Sequence, residues 1–150
     1  MRCHSPLILI NKLKRRVEDM VELQPKICNL CGSKVIYTSN SVIYGGREYG
    51  SGFCYLCTQC GAYVGTHKPR PKEALGLLAD AKMRSLKMQC HELFDRKWRN
   101  HPQNTRRLAR KRAYEELAEK LDIDVSECHF GYFNLDMLNR ALDILQCERN

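Results

Sequence analysis

Two short cysteine motifs organise this chain: CNLCG at residues 28–32 and CTQCG at residues 57–61. Each motif can present two thiols from one tight turn, and the glycine after the second cysteine permits the positive φ that such a turn requires. Four thiolates at about 2.3 Å form the closed tetrahedral shell of a structural zinc ion. The sequence therefore predicts a Zn²⁺ site with Cys28, Cys31, Cys57 and Cys60 as ligands.

A second pairing, between Cys54 and Cys57, has the same spacing but lacks the following glycine. We therefore expect Cys54 to be buried and to lie outside the metal site. Cys128 and His129 could combine with Cys147 in another site, but their spacing is unlike that of common zinc sites. The spacing assigns no role to Cys90.

The chain has 150 residues and nine cysteines, but its N-terminus lacks the pattern of a cleaved signal peptide. No apolar run approaches the roughly 20 residues that span a bilayer. An odd number of cysteines with paired spacing is typical of a reduced metalloprotein rather than of a disulfide scaffold. We expect a cytoplasmic protein that does not associate with membranes.

Positive charge is concentrated in the middle of the chain. Residues 82–112 carry 11 basic and two acidic side chains, whereas residues 113–150 carry three basic and nine acidic ones, within a net charge of +8. This asymmetry indicates a polyanionic partner for the middle segment. The alternative is that the acidic tail folds back and neutralises it.

The periodicity predicts an α+β fold, in which a small four-cysteine zinc ribbon is joined to a helical half and bridged by an N-terminal helix. We expect an N-terminal amphipathic helix within residues 1–25, the ribbon at 26–67 and the helical domain at 68–150. The predicted strands cover 35–38, 41–44 and 53–56, and the predicted helices cover 6–23, 72–78, 81–99, 105–121 and 135–147.

Four basic residues lie in the first half of the predicted helix at 105–121: Arg106, Arg107, Arg110 and Lys111. They lie within a turn and a half, so most of them can share one face and contact a nucleic-acid backbone. Alternatively, the face is merely solvated. Lys111 can also pair with Glu115 at i+4, whereas Arg106 and Arg107 have no acidic residue within reach on that helix.

Several stretches resemble a family of small zinc-finger-containing proteins found mainly in phages, prophages and their bacterial hosts. They are CTQCGAYVGTH at 57–67, LGLLA at 75–79, CHELFDRKW at 90–98, AY at 113–114, LA at 117–118 and HFGYF at 129–133. The likeness covers roughly residues 26 to 147. Ala74 stands where the family usually has proline, and Cys90 where it usually has alanine. The resemblance implies a zinc site and a phage or bacterial context, and it implies no particular reaction.

His67 and His91 are the residues best suited to acid–base or metal chemistry. Asp95, four residues after His91, could orient its imidazole. No paired carboxylates accompany the two histidines, so the simpler interpretation makes both of them structural struts between ribbon and helices.

Three functions follow from these patterns. The first is a nucleic-acid-binding accessory protein of phage or prophage type that docks through its basic helical face. The second is a protein-binding effector that inhibits or redirects a host machine, such as a defence nucleoprotein complex. The third is a nuclease that uses His67 and His91. The basic segment favours the first.

Overall fold

The structure, a computed structural model, describes residues 21–149. An antiparallel sheet of three strands in the order β1-β2-β3 is followed by three helices. The predicted α+β class is confirmed. The elements are β1 (Val35–Ser39), β2 (Phe53–Cys57), β3 (Tyr63–Gly65), α1 (Ala81–Arg99), α2 (Gln103–Leu121) and α3 (Leu135–Arg149).

The predicted N-terminal helix at 6–23 lies almost entirely outside the described residues. Its last three positions, 21–23, are described and are not helical. The predicted bridging role of this helix therefore stays a prediction.

The strand register brings the two cysteine motifs together. Val35 of β1 lies opposite Cys57 of β2, and Tyr37 lies opposite Tyr55. Opposed residues of an antiparallel pair point to the same face of the sheet. Because β1 begins opposite the residue at which β2 ends, Cys57 lies at the end of the sheet where the chain from the first motif enters β1.

The predicted strand at 41–44 is wrong. Residues Asn40–Val42 form a 3-10 turn, and the partner of β1 is β2 instead. The Asn40 side chain closes the intervening loop, because its amide donates to the Tyr49 carbonyl at 2.7 Å and its oxygen accepts from the Tyr49 N–H at 3.2 Å. These bonds hold the chain in a loop where a hairpin strand was expected.

The predicted helix at 72–78 is also wrong, because this segment pairs with β3 and its neighbours instead of bonding within itself. The Leu75 N–H donates to the Gly65 carbonyl at 3.0 Å, and Tyr63 and Ala79 exchange two backbone bonds. Tertiary pairing thus overrides the local helical preference that a proline at position 71 suggested.

The three later helices agree with the sequence pattern. Helix α1 begins at Ala81, where the Asp80 carboxylate accepts from the Met83 N–H at 2.8 Å, the predicted N-cap. Helix α2 begins at Gln103, two residues before the predicted start, and α3 continues two residues past its predicted end at Cys147. Asp122 ends α2 in the left-handed region at φ 56°.

Two hydrophobic clusters hold the fold together. The ribbon cluster is small, and it includes two residues of the segment after β3. Its members are Cys28, Val35, Tyr55, Cys57, Ala62, Val64, Ala74 and Leu78. The helical cluster is larger and draws on all three helices, with Phe94, Leu117 and Leu138 among its most buried members. A ribbon with so few buried side chains needs a metal to supply folding free energy.

Candidate metal centre and basic helical face

Four cysteines from the two motifs converge at one end of the sheet. The Sγ atoms of Cys28, Cys31, Cys57 and Cys60 all lie within 4.8 Å of one another. Cys28 Sγ is 3.7 Å from Cys60 Sγ, and Cys31 Sγ is 3.4 Å from Cys57 Sγ. Zinc–sulfur bonds of about 2.3 Å in a tetrahedron place sulfurs roughly 3.8 Å apart, so the four thiols fit a zinc ion.

Both motifs fold into the same turn. Gly32 has φ 75° and its N–H donates to the Cys28 carbonyl at 2.9 Å, while Gly61 has φ 79° and donates to the Cys57 carbonyl at 3.0 Å. Backbone N–H groups also approach sulfur, as at Leu30 N to Cys28 Sγ, 3.4 Å. The glycines therefore serve the predicted purpose, since they allow each turn to present two thiols together.

The centre lies at the surface, because Cys28 and Cys57 are buried while Cys31 and Cys60 are exposed. Hydrogen bonds from Ser33 lower the pKa of Cys31 to about 6, whereas burial and the neighbouring thiols outweigh a backbone hydrogen bond from Ala62 and raise the pKa of Cys60 to about 12. Four protein ligands leave no open position for a substrate or water. The centre thus suits a structural role.

Cys54 lies outside this cluster, as the sequence predicts. It is 1% exposed, and burial raises the pKa of its thiol. Burial likewise raises the pKa of Cys90 and of Cys128 to about 11. Among residues 21–149, no group of three or more potential ligands other than the four cysteines could hold a metal, so Cys128, His129 and Cys147 form no second site there.

The four basic residues predicted to bind nucleic acid all lie exposed on the first half of α2. Arg106 donates to the His101 carbonyl at 3.3 Å, and Lys111 lies 3.9 Å from the Glu115 carboxylate. The Arg110 guanidinium lies over the rings of Trp98 and Tyr114. Within residues 21–149, no carboxylate forms an ion pair with Arg106 or Arg107.

Three other cations of the basic segment are paired with carboxylates. On α1, Arg96 pairs with Glu92 at 3.1 Å and Arg99 with Asp95 at 3.4 Å. Lys97 pairs with Glu148 of α3, which also binds Lys120. The acidic tail therefore does fold back on α1, but among the described residues it does not reach the start of α2.

His67 and His91 occupy separate settings. His67 follows β3, and its backbone N–H donates to the Glu73 carbonyl at 3.0 Å. His91 lies on α1 with its ring edge-on to Phe130 at 4.8 Å. Burial lowers the pKa of His91, and Asp95 opposes that shift. Among the described residues, neither histidine belongs to a group that could bind a metal.

The structure instead brings His129 close to the basic helix. Its ring lies 6.2 Å from the Tyr114 ring and 4.7 Å from the Tyr132 ring. The cysteine and histidine spacing indicated a role for His129 only as a ligand of a second metal site. The signal that could have revealed it was the aromatic run HFGYF at 129–133.

A four-thiolate centre beside a short antiparallel sheet defines a zinc-finger protein. The model of the DUF3268 family, described as a zinc-finger-containing domain, matches residues 24–148, so the chain belongs to this family. The family and the cysteine cluster together point to zinc binding. No curated protein and no solved structure was found to match the chain.

The helices of residues 21–149 include none that is both long enough and apolar enough to cross a membrane.

Proposed function

We propose that this zinc-finger protein binds nucleic acid through the basic face of α2, formed by Arg106, Arg107, Arg110 and Lys111. The observation that carries the proposal is the exposure of Arg106 and Arg107 without an ion-pair partner among residues 21–149. By contrast, Arg96 and Arg99 near the end of α1 are paired with carboxylates. Unpaired guanidinium groups on one helix face suit a phosphate backbone.

Helix stability gives no reason for this cluster. No side chain caps the N-terminus of α2, and its first turn contains no acidic residue. Cations near a helix N-terminus oppose the macrodipole by about 0.3–1 kcal/mol each. An anionic partner offsets that cost and accepts hydrogen bonds from the side-chain N–H groups of the basic face.

The zinc centre supports this function indirectly. We propose that Cys28, Cys31, Cys57 and Cys60 bind one structural ion that orders the ribbon, and that the ribbon supports the helical half. The resemblance noted above further favours an accessory protein of phage or prophage type acting in a bacterial cytoplasm. His67 and His91 act in this proposal as structural residues.

The test is fluorescence anisotropy with a labelled duplex and its single strand across a salt series that includes about 0.15 M. The double variant Arg106→Ala, Arg107→Ala should bind both probes more weakly. Each lost phosphate contact should also reduce the log–log salt slope on duplex DNA by about 0.9.

The matched control is Lys26→Ala with Lys34→Ala, which removes two exposed positive charges from the ribbon. It should change affinity much less than the α2 variant. If the folded α2 variant keeps both the affinity and the slope, this face takes no part in binding.

A second candidate function is protein docking, because the ribbon loop exposes apolar side chains. Val42 is 61% exposed, Tyr44 43% and Tyr49 54%. Such residues suit the centre of a protein interface and fit an effector that redirects a host complex. A wild-type protein that binds neither nucleic-acid probe would favour this alternative.

A further inference from the structure

A row of rings and one guanidinium leads from α2 to the turn Phe130–Tyr132. The Arg110 guanidinium lies 5.5 Å from the centre of the Trp98 ring and 5.2 Å from that of Tyr114. The centre of the Tyr114 ring lies 6.2 Å from that of His129, and the His129 ring centre lies 4.7 Å from that of Tyr132. We name Trp98, Arg110, Tyr114, His129 and Tyr132 the aromatic strip.

The strip has a fixed inner side and an accessible outer side. Trp98 and Tyr114 are half-buried and pack against the helical cluster. Arg110, His129 and Tyr132 are exposed, and Tyr132 retains 36% of its surface. The Tyr132 N–H donates to the His129 carbonyl at 2.9 Å, so the turn that carries the two outer rings is ordered.

Charge along the strip comes mainly from arginine. Burial and the nearby Arg110 both lower the pKa of His129, which favours the neutral imidazole. His91, beside the strip, also has a pKa lowered mainly by burial. Asp95, whose charge acts on Tyr114, already pairs with Arg99.

Aromatic rings beside arginine side chains are suited to binding unstacked nucleic-acid bases. Aromatic side chains bind single strands because every base has a π face, whereas a duplex keeps those faces stacked inside. Arg110 belongs both to the strip and to the basic face of α2, so a backbone on that face would place its bases near these rings.

We propose that the aromatic strip stacks bases of a single-stranded nucleic acid whose backbone lies on the basic face of α2. This inference rests on the proposed function and narrows it from nucleic acid in general to single strands. It assigns base stacking to His129 and Tyr132, the two exposed rings.

The experiment uses the full zinc-bound chain and three labelled probes of about 15 nucleotides: single-stranded DNA, single-stranded RNA and duplex DNA. Wild type should bind at least one single strand more tightly than the duplex. Tyr132→Ala should weaken single-strand binding about ten-fold, the lower part of the range for one stacked base, with duplex affinity unchanged. Tyr132→Phe should keep wild-type affinity, because it keeps the ring.

Tyr49→Ala is the control, since it removes a tyrosine ring of the ribbon loop that is more exposed than that of Tyr132, at 54% against 36%. It should leave single-strand affinity unchanged. Far-ultraviolet circular dichroism and zinc content should match wild type in all three variants.

Two results would overturn the inference, and they are distinguishable. If Arg106→Ala with Arg107→Ala weakens binding while Tyr132→Ala does not, the proposed function stands and base stacking on the strip is rejected. If wild type binds none of the three probes, both proposals fail and a protein partner is favoured.

Discussion

Gly76 and Gly131 lie backbone against backbone. A Cβ atom added to Gly76 would be 2.0 Å from the carbonyl oxygen of Gly131, and the N–H of the adjacent Leu77 donates to that oxygen at 2.9 Å. This contact joins the segment after β3 to the turn that carries His129 and Tyr132. Two of the motifs behind the family resemblance thus meet in space.

Replacing Gly76 with alanine should destabilise the protein by about 1–3 kcal/mol or more, because the backbones must separate to admit a methyl group. Urea unfolding of the zinc-bound chain measures this change. Gly65→Ala is the control, since its Cβ would meet only Leu75 Cδ1 at 3.5 Å, an ordinary contact. Equal stability of the two variants would contradict the close packing at Gly76.

Replacing Cys31 or Cys60 with serine should abolish stoichiometric zinc and unfold the ribbon, whose own hydrophobic cluster is small. Plasma emission spectrometry after gel filtration measures the zinc, and about one equivalent per chain is expected for wild type. A strong chelator should have the same effect on wild type.

The control for the zinc experiment is Cys54→Ser, because Cys54 is buried outside the cluster. This variant should retain its zinc. Loss of zinc in Cys54→Ser together with its retention in Cys60→Ser would reverse the ligand assignment.

Replacing Asp80 with alanine should cost about 1 kcal/mol, because the Met83 N–H at the start of α1 loses its acceptor. Asp80→Asn should retain most of the stability, since the amide oxygen can still accept that bond. Thermal and urea unfolding of the three proteins provide the comparison. If asparagine proves as harmful as alanine, charge rather than capping explains the role of Asp80.

Replacing Glu148 with glutamine should cost about 0.5 kcal/mol at pH 7, because Lys97 and Lys120 lose their shared carboxylate. The effect is modest, since the Lys120 side chain is 49% exposed and solvent screens that pair. Glu115→Gln, which disrupts an exposed pair at 3.9 Å, should change stability less.

The pH dependence of the Glu148 effect follows from its pKa. Burial raises the pKa of Glu148, but the hydrogen bonds from Lys120 and Lys97 outweigh burial and lower it below 4.5. A depressed carboxyl pKa adds stability above the unfolded-state value, and that stability is lost as pH falls through the folded-state value. The deficit of Glu148→Gln should therefore be constant between about pH 8 and 6. A deficit that changes within this range would implicate another group.

Elements with local signals could be predicted from the amino-acid sequence. Glycine and cysteine spacing predicted both metal-binding turns, and Asp80 with an apolar stripe every three to four residues predicted α1 from Ala81 to Arg99. These predictions succeeded because a tight turn or a capped helix is stabilised by residues close together in the chain.

The pairing of distant segments became apparent only in the folded structure. Ser41 begins no strand, because Asn40 binds the backbone of Tyr49 and β1 takes β2 as its partner. The segment after Pro71 is not helical, because its backbone groups bond to β3 and to Gly131. Likewise, the His91 ring packs against Phe130, and among the described residues His91 and His67 form no metal-binding group. Such contacts depend on backbone and side-chain partners far away in sequence, which no local pattern specifies.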